Sequence, residues 1–175
     1  MILKGHCHFK KPEGFRDGAP PPIITGFSIP DRRAVMPQEL SVRAVRESGM
    51  CFTASTGEHT VCLDYPLNPG ATAGPTPLQM LLTSLAVCAG STLGLVLDRM
   101  KHPFSGLVVE ARGKRRDEHP TVITEIALEF VITGAGIDPD RVAQALKIAE
   151  EQLCPVWAML KPGTPITTSF RIVEG

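Results

Sequence analysis

The residues best suited to chemistry in this 175-residue chain are its five cysteines, Cys7, Cys51, Cys62, Cys88 and Cys154. A thiolate is both a nucleophile and a redox centre, and its surroundings set its reactivity. Cys88 lies in a stretch, residues 65–97, that contains no charged side chain. Ser84 and Thr92 stand one helical turn to either side of it, with Ser91 close by. Such a cysteine is either a small buried hydrophobe or a shielded nucleophile. Cys154 directly precedes Pro155 inside a helical pattern. Proline has no N–H, and its ring collides with the carbonyl four residues back, here that of Glu151, so the helix must kink or restart. A restart puts Cys154 at the N-terminal end of residues 155–161, where the helix dipole lowers a thiol pKa. A mere packing kink leaves Cys154 incidental.

The other candidates carry less. Cys51 and Cys62 fall in strand-like runs with no visible chemical partner and read as structural. His6-Cys7-His8 invites a metal, but three adjacent residues cannot easily all face one ion. With no partner cluster and no CxxC spacing, no metal site is expected. His59 and His119 hold no nucleophile–base spacing. The chain has no phosphate loop, dinucleotide fingerprint or Gly-x-Ser-x-Gly elbow, and no bound cofactor is expected.

The elements that must position these cysteines follow from periodicity and punctuation. Residues 1–38 hold six prolines and scattered glycines without helical or strand period, and read as an extended or disordered arm. The domain proper is residues 39–175. Runs at 40–46, 50–55 and 59–65, separated by Ser48-Gly49 and Thr56-Gly57, predict an antiparallel meander. Thr76 as N-cap and Pro77 at the first helical position open a helix that runs to about Lys101 and ends at His102-Pro103. Strands follow at 107–114 and 122–133; in the second, Ile126, Leu128, Phe130 and Ile132 line one face, with Glu125, Glu129 and Thr133 on the other. Asp138-Pro139 opens a second helix that stops at Pro162-Gly163, and 166–173 reads as a closing strand. The class is α+β.

Bulk composition narrows the function. Hydrophobic residues make up 43%, charged residues 21%, and the formal net charge is zero, which suits a globular domain and not a nucleic-acid binder. The short run Lys114-Arg115-Arg116 is followed at once by Asp117 and Glu118. Residues 78–97 are long and apolar enough to cross a bilayer. They include Gln79, Thr83, Ser84, Ser91 and Thr92, have no aromatic belt, and are the only such segment, so a buried or interfacial helix is expected and no membrane. An odd cysteine count and the lack of an apolar leader predict a reducing, cytoplasmic setting.

Two segments together carry a family resemblance. One is Gly74-Pro-Thr-Pro-Leu-Gln-Met-Leu-Leu-Thr-Ser-Leu-Ala-Val-Cys88-Ala-Gly-Ser and the other Glu151-Gln-Leu-Cys154-Pro155-Val156. They resemble the signature helices of the OsmC/Ohr family (osmotically inducible and organic hydroperoxide resistance proteins). Residues 116–134, with Pro120 opening a strand that ends Val-Ile-Thr-Gly, are similar to the YhfA-like branch. The resemblance implies an OsmC-like fold of antiparallel sheets with two long central helices, in an intertwined homodimer. It implies that Cys88 attacks a hydroperoxide and becomes a sulfenic acid, and that Cys154 resolves it to a disulfide which an external dithiol reduces. Peroxidase members activate the thiol with an arginine from the N-terminal strands, for which Arg46, with Arg43 nearby, is the candidate. They also carry a glutamate where this chain has Leu78. The reading is therefore an organic hydroperoxide reductase; the alternative is a non-catalytic dimer that binds an apolar small molecule in its interface pocket. A third idea is transient disulfide exchange with other proteins through Cys154.

Overall fold

The computed structural model describes residues 39–65 and 72–175. The arm expected over residues 1–38 lies outside them. Three strands come first: β1 (Arg43–Ser48), β2 (Cys51–Thr56) and β3 (His59–Asp64). They form an antiparallel sheet in the order β1-β2-β3. The turns between them rest on Gly49 and Gly57, whose φ values of 56° and 57° lie in the left-handed region that glycine enters freely. β1 begins three residues later than its sequence suggests. Arg43 pairs with Ser55 near the end of β2, so Leu40 and Val42 have no ladder partner and stand exposed. Phe52, Ala54, Val61 and Leu63 share one face of this sheet, since Phe52 opposes Leu63 and Ala54 opposes Val61.

The long helix α1 (Pro77–Arg99) is closed at both ends by local chemistry. The Gln79 N–H donates to the Thr76 hydroxyl at 3.3 Å, and the Thr76 N–H donates to the Gln79 side-chain oxygen at 2.8 Å. This reciprocal pair is a capping box, with Pro77 at N1. At the other end the His102 N–H donates to the Leu97 carbonyl and the Lys101 N–H to the Asp98 carbonyl. That is a Schellman arrangement, and it forces Lys101 to φ 56°. The helix therefore stops at Arg99 rather than Lys101.

Among the described residues, α1 is the one helix long and apolar enough to cross a membrane by length and composition. One stripe of it, Leu85, Ala89, Leu93, Val96 and Leu97, is buried. This stripe packs on a second sheet formed by β4 (Gly106–Arg115), β5 (Ile123–Thr133) and β6 (Ile166–Val173), with β5 in the middle. The expected alternation holds in β5: Ile126, Leu128, Phe130 and Ile132 face the core. Their cross-strand neighbours extend the apolar face, with Val109 and Phe170 flanking Phe130, and Leu107 and Ile172 flanking Ile132. Each large side chain buried there contributes about 1.5–3 kcal/mol. Gly90 lets helix and sheet approach, because a Cβ there would lie 2.9 Å from Val109 Cγ2.

One feature corrects the expected architecture. The second sheet is mixed, not antiparallel, since β6 runs parallel to β5. The helical crossover after β5 returns the chain to the start of that strand, and a crossover of this kind gives a parallel pair. The second helical stretch breaks before Pro155, as its sequence predicts: it is α2 (Pro139–Ile148), a π-helical turn (Ala149–Leu153) and α3 (Pro155–Leu160), and α1 is the one long helix among the described residues.

A left-handed conformation costs a residue with a Cβ about 1–2 kcal/mol. Lys101→Gly should therefore raise the free energy of unfolding by up to about 1 kcal/mol, once the greater entropy of unfolded glycine is subtracted, and with it the urea midpoint. An unchanged or lower midpoint would contradict this account of the helix end.

Candidate active site

Cys154 is positioned by the proline that follows it. Pro155 cannot donate a backbone N–H, and the helix widens ahead of it so that the Cys154 N–H reaches the carbonyl five residues back, Ala149, at 2.9 Å. Cys154 then leaves helical conformation, with φ −79° and ψ 104°, and becomes the N-cap of α3. Its Sγ accepts a hydrogen bond from the Trp157 N–H at 3.5 Å. Trp157 itself is buried beneath, its indole N–H without a partner among the described residues. The sequence marks the helix break but gives no sign of the widened turn or of Trp157 as the donor.

The other half of the site comes from α1. Cys88 is half-buried, and Cys154, 1% exposed, holds its Sγ 3.0 Å from the Cys88 Sγ with the Cys154 thiol donating. Residues 66 positions apart in the chain thus meet as a dithiol. The polar neighbours in the sequence do not touch it. The Thr92 hydroxyl donates to the carbonyls of Cys88 and Ala89, and the Ser84 hydroxyl to that of Met80. Each satisfies its own helix.

The expected lowering of the Cys154 pKa is overturned. Burial, and next the hydrogen bond to Cys88, push the thiol up to about 11 from 9.0, outweighing the backbone N–H groups of Trp157 and Val156 that pull it down. Cys154 thus holds its proton more firmly than an ordinary thiol, and Cys88 is the more exposed sulfur of the two.

Arg46 lies in β1, and its Nε donates to the Gly49 carbonyl at 2.7 Å across the first turn. No contact among the described residues joins it to either sulfur. It does share the apolar face of the first sheet, opposite Phe52. Cys51 and Cys62, read from the sequence as unconnected structural residues, also meet, Sγ to Sγ at 3.2 Å. Among the described residues, no cluster of three or more His, Cys, Asp or Glu could hold a metal ion. One side of α1 forms an open, largely apolar groove with β4, lined by Val87, Gly90, Leu95 and Val109 and also by Ser91 and Asp98.

Residues 69–169 match the family model described as OsmC-like protein. The chain belongs to the OsmC-like family. Protein YhfA of Escherichia coli K12 is 29% identical over 126 residues, which cover 71% of this chain and 92% of the relative, in keeping with the YhfA-like branch. A hypothetical protein from Aquifex aeolicus superposes with a TM-score of 0.71 at 25% identity, over 79% of this chain and 98% of that one. An organic hydroperoxide resistance protein OsmC from Legionella pneumophila gives 0.61 at 16% identity, over 78% and 98%. The mixed α+β arrangement of two sheets and few helices is thus the OsmC-like fold.

A thiol whose pKa is raised by folding stabilises the protein fully below its unfolded pKa and loses that contribution as pH rises through the folded value. Here the window runs from pH 9.0 to about 11. The urea midpoint should fall across it, and Cys154→Ala should fall less than the parent chain. Equal slopes would show that Cys154 is not held protonated by the fold.

Proposed function

We propose that this OsmC-like protein is a thiol peroxidase that reduces an organic hydroperoxide with Cys88 and Cys154. The observation that carries this reading is the 3.0 Å approach of the two sulfurs, one half-exposed and one buried. The Cys88 thiolate attacks the outer oxygen of the hydroperoxide, the O–O bond breaks, and the alcohol leaves with a proton. Cys88 becomes a sulfenic acid. This oxidation removes the neighbouring thiol that helps hold the proton on Cys154. Cys154 then attacks the Cys88 sulfur, hydroxide departs with the Cys154 proton as water, and a disulfide forms. An external dithiol restores both thiols by exchange. The apolar groove beside α1 suits a substrate with a hydrocarbon tail, and the name of the Legionella pneumophila protein of the same fold agrees with the chemistry.

The working unit in this reading is a homodimer. Two apolar surfaces that no element packs against among the described residues support it: the α1 groove, where Val87 is 63% exposed, and the Phe52–Leu63 face of the first sheet. Covering an apolar sheet face removes its side chains from water and is favourable. Docking that face on a second copy brings Arg46 to the interface, where it becomes the cation that activates Cys88.

A second reading is a dimer that binds an apolar small molecule without turning it over. It is favoured by Leu78, which stands at the opening of α1 where peroxidase members have a glutamate, and by the same groove.

Steady-state assays with cumene hydroperoxide and dithiothreitol separate the two. Cys88→Ser should abolish turnover, and Cys154→Ser should allow a single turnover without added thiol. A cation that shifts a thiol pKa by one unit changes its thiolate fraction about tenfold, so Arg46→Ala should slow Cys88 oxidation roughly tenfold. Full activity in both cysteine variants would end the Cys88–Cys154 mechanism, and no turnover by the parent chain would end the peroxidase reading and leave the binding one.

A further inference from the structure

The second cysteine pair lies on the β2–β3 hairpin. The turn after Thr56 sets the register: Thr56 opposes His59, Thr53 opposes Cys62 and Cys51 opposes Asp64. Cys51 and Cys62 are therefore diagonal neighbours on one face of the sheet, with Sγ atoms 3.2 Å apart. This is the face opposite Phe52, Ala54, Val61 and Leu63, so an apolar partner on those residues leaves the sulfurs uncovered. Both thiols are free and only half-buried.

The hairpin is held stiffly at this point. Gly74 packs so closely against β3 that a Cβ there would lie 2.2 Å from the Cys62 carbonyl oxygen. The Asp64 N–H donates to the Pro75 carbonyl at 3.1 Å, and the Asp64 carboxylate accepts from the Ala73 N–H at 3.1 Å. Two carboxylates, Asp64 and Glu47, act on Cys51. They give the pair a negative setting, which attracts cationic reagents and repels anionic ones.

We propose that Cys51 and Cys62 are a second redox site, independent of Cys88 and Cys154: a dithiol that reduces small cationic or uncharged disulfides and closes to a reversible β2–β3 cross-link. The hydrogen bond shared with Cys62, first among the causes, raises the Cys51 pKa to about 11, so Cys51 keeps its proton and Cys62 is assigned the first attack. The Cys62 thiolate attacks one sulfur of the disulfide, its S–S bond breaks, and one thiolate leaves. Cys51 then attacks the Cys62 sulfur of the mixed disulfide, and the second thiolate leaves with the Cys51 proton. Two electrons pass from the dithiol to the reagent, and an excess of any small dithiol reverses the exchange.

The test uses the full chain carrying Cys88→Ser and Cys154→Ser, so its outcome does not depend on the peroxidase reading. The reduced protein is treated with cystamine, quenched in acid, alkylated and cleaved after glutamate. Glu58 lies between the two cysteines, so only a bridge keeps their peptides together. The proposal expects a linked Cys51–Cys62 peptide pair that dithiothreitol releases, and the same pair from the parent chain, which guards against a misfolded variant. Cys51→Ser should instead retain cysteamine on Cys62. Cysteamine left on the chain that contains both thiols, or two thiols that cystamine does not modify, would overturn the proposal.

Discussion

A proline inside a helix removes one hydrogen bond and pushes against the carbonyl four residues back, and the site depends on how the chain answers that constraint at Pro155. The preceding turn widens so that Cys154 bonds to Ala149. The chain then leaves helical conformation for a single residue, and a short helix restarts with Cys154 as its cap. An uninterrupted helix would carry residue 154 past on its own cylinder. The break instead fixes the Cys154 sulfur against α1 at the level of Cys88. Burial of Trp157 anchors the restart, since removing a tryptophan from a core costs about 3–5 kcal/mol.

The same contact divides the two thiols by environment. Cys154 lies under the π turn and α3, where a thiolate is poorly solvated, while Cys88 sits at the border between the buried stripe of α1 and its open face. Desolvation outweighs the two backbone N–H groups at the helix start, which is why a helix N-terminus fails to acidify this thiol. α1 accounts for both sides of the molecule's behaviour. One stripe closes the core against β4 and β5, and the neighbouring face that carries Val87 and Leu95 forms the groove. A helix apolar nearly all round needs a cover on each side.

Much of this was legible in the sequence because the signals were local. Thr76-Pro77 and Asp138-Pro139 mark both long-range helix starts, and alternation in residues 126–132 names the core face of β5. The pairing of Cys88 with Cys154 was legible only through the resemblance of two distant segments. What failed depends on partners that the local sequence does not contain. The start of β1 is set by where β2 ends, and the parallel direction of β6 is set by the length of the helical crossover. The direction of the Cys154 shift depends on how much protein covers it. The Cys51–Cys62 contact follows from hairpin register alone: a two-residue turn after Thr56 makes them diagonal neighbours, and reading each strand in isolation hides that.

The account stands or falls on whether Cys88 and Cys154 act as one redox unit. The direct measurement is intact mass and peptide mapping of the reduced chain after one equivalent of cumene hydroperoxide, with the reaction followed by stopped flow. The account predicts rapid loss of two hydrogens and a single Cys88–Cys154 disulfide. Slow oxidation, or oxygen scattered over several cysteines and methionines, would contradict it.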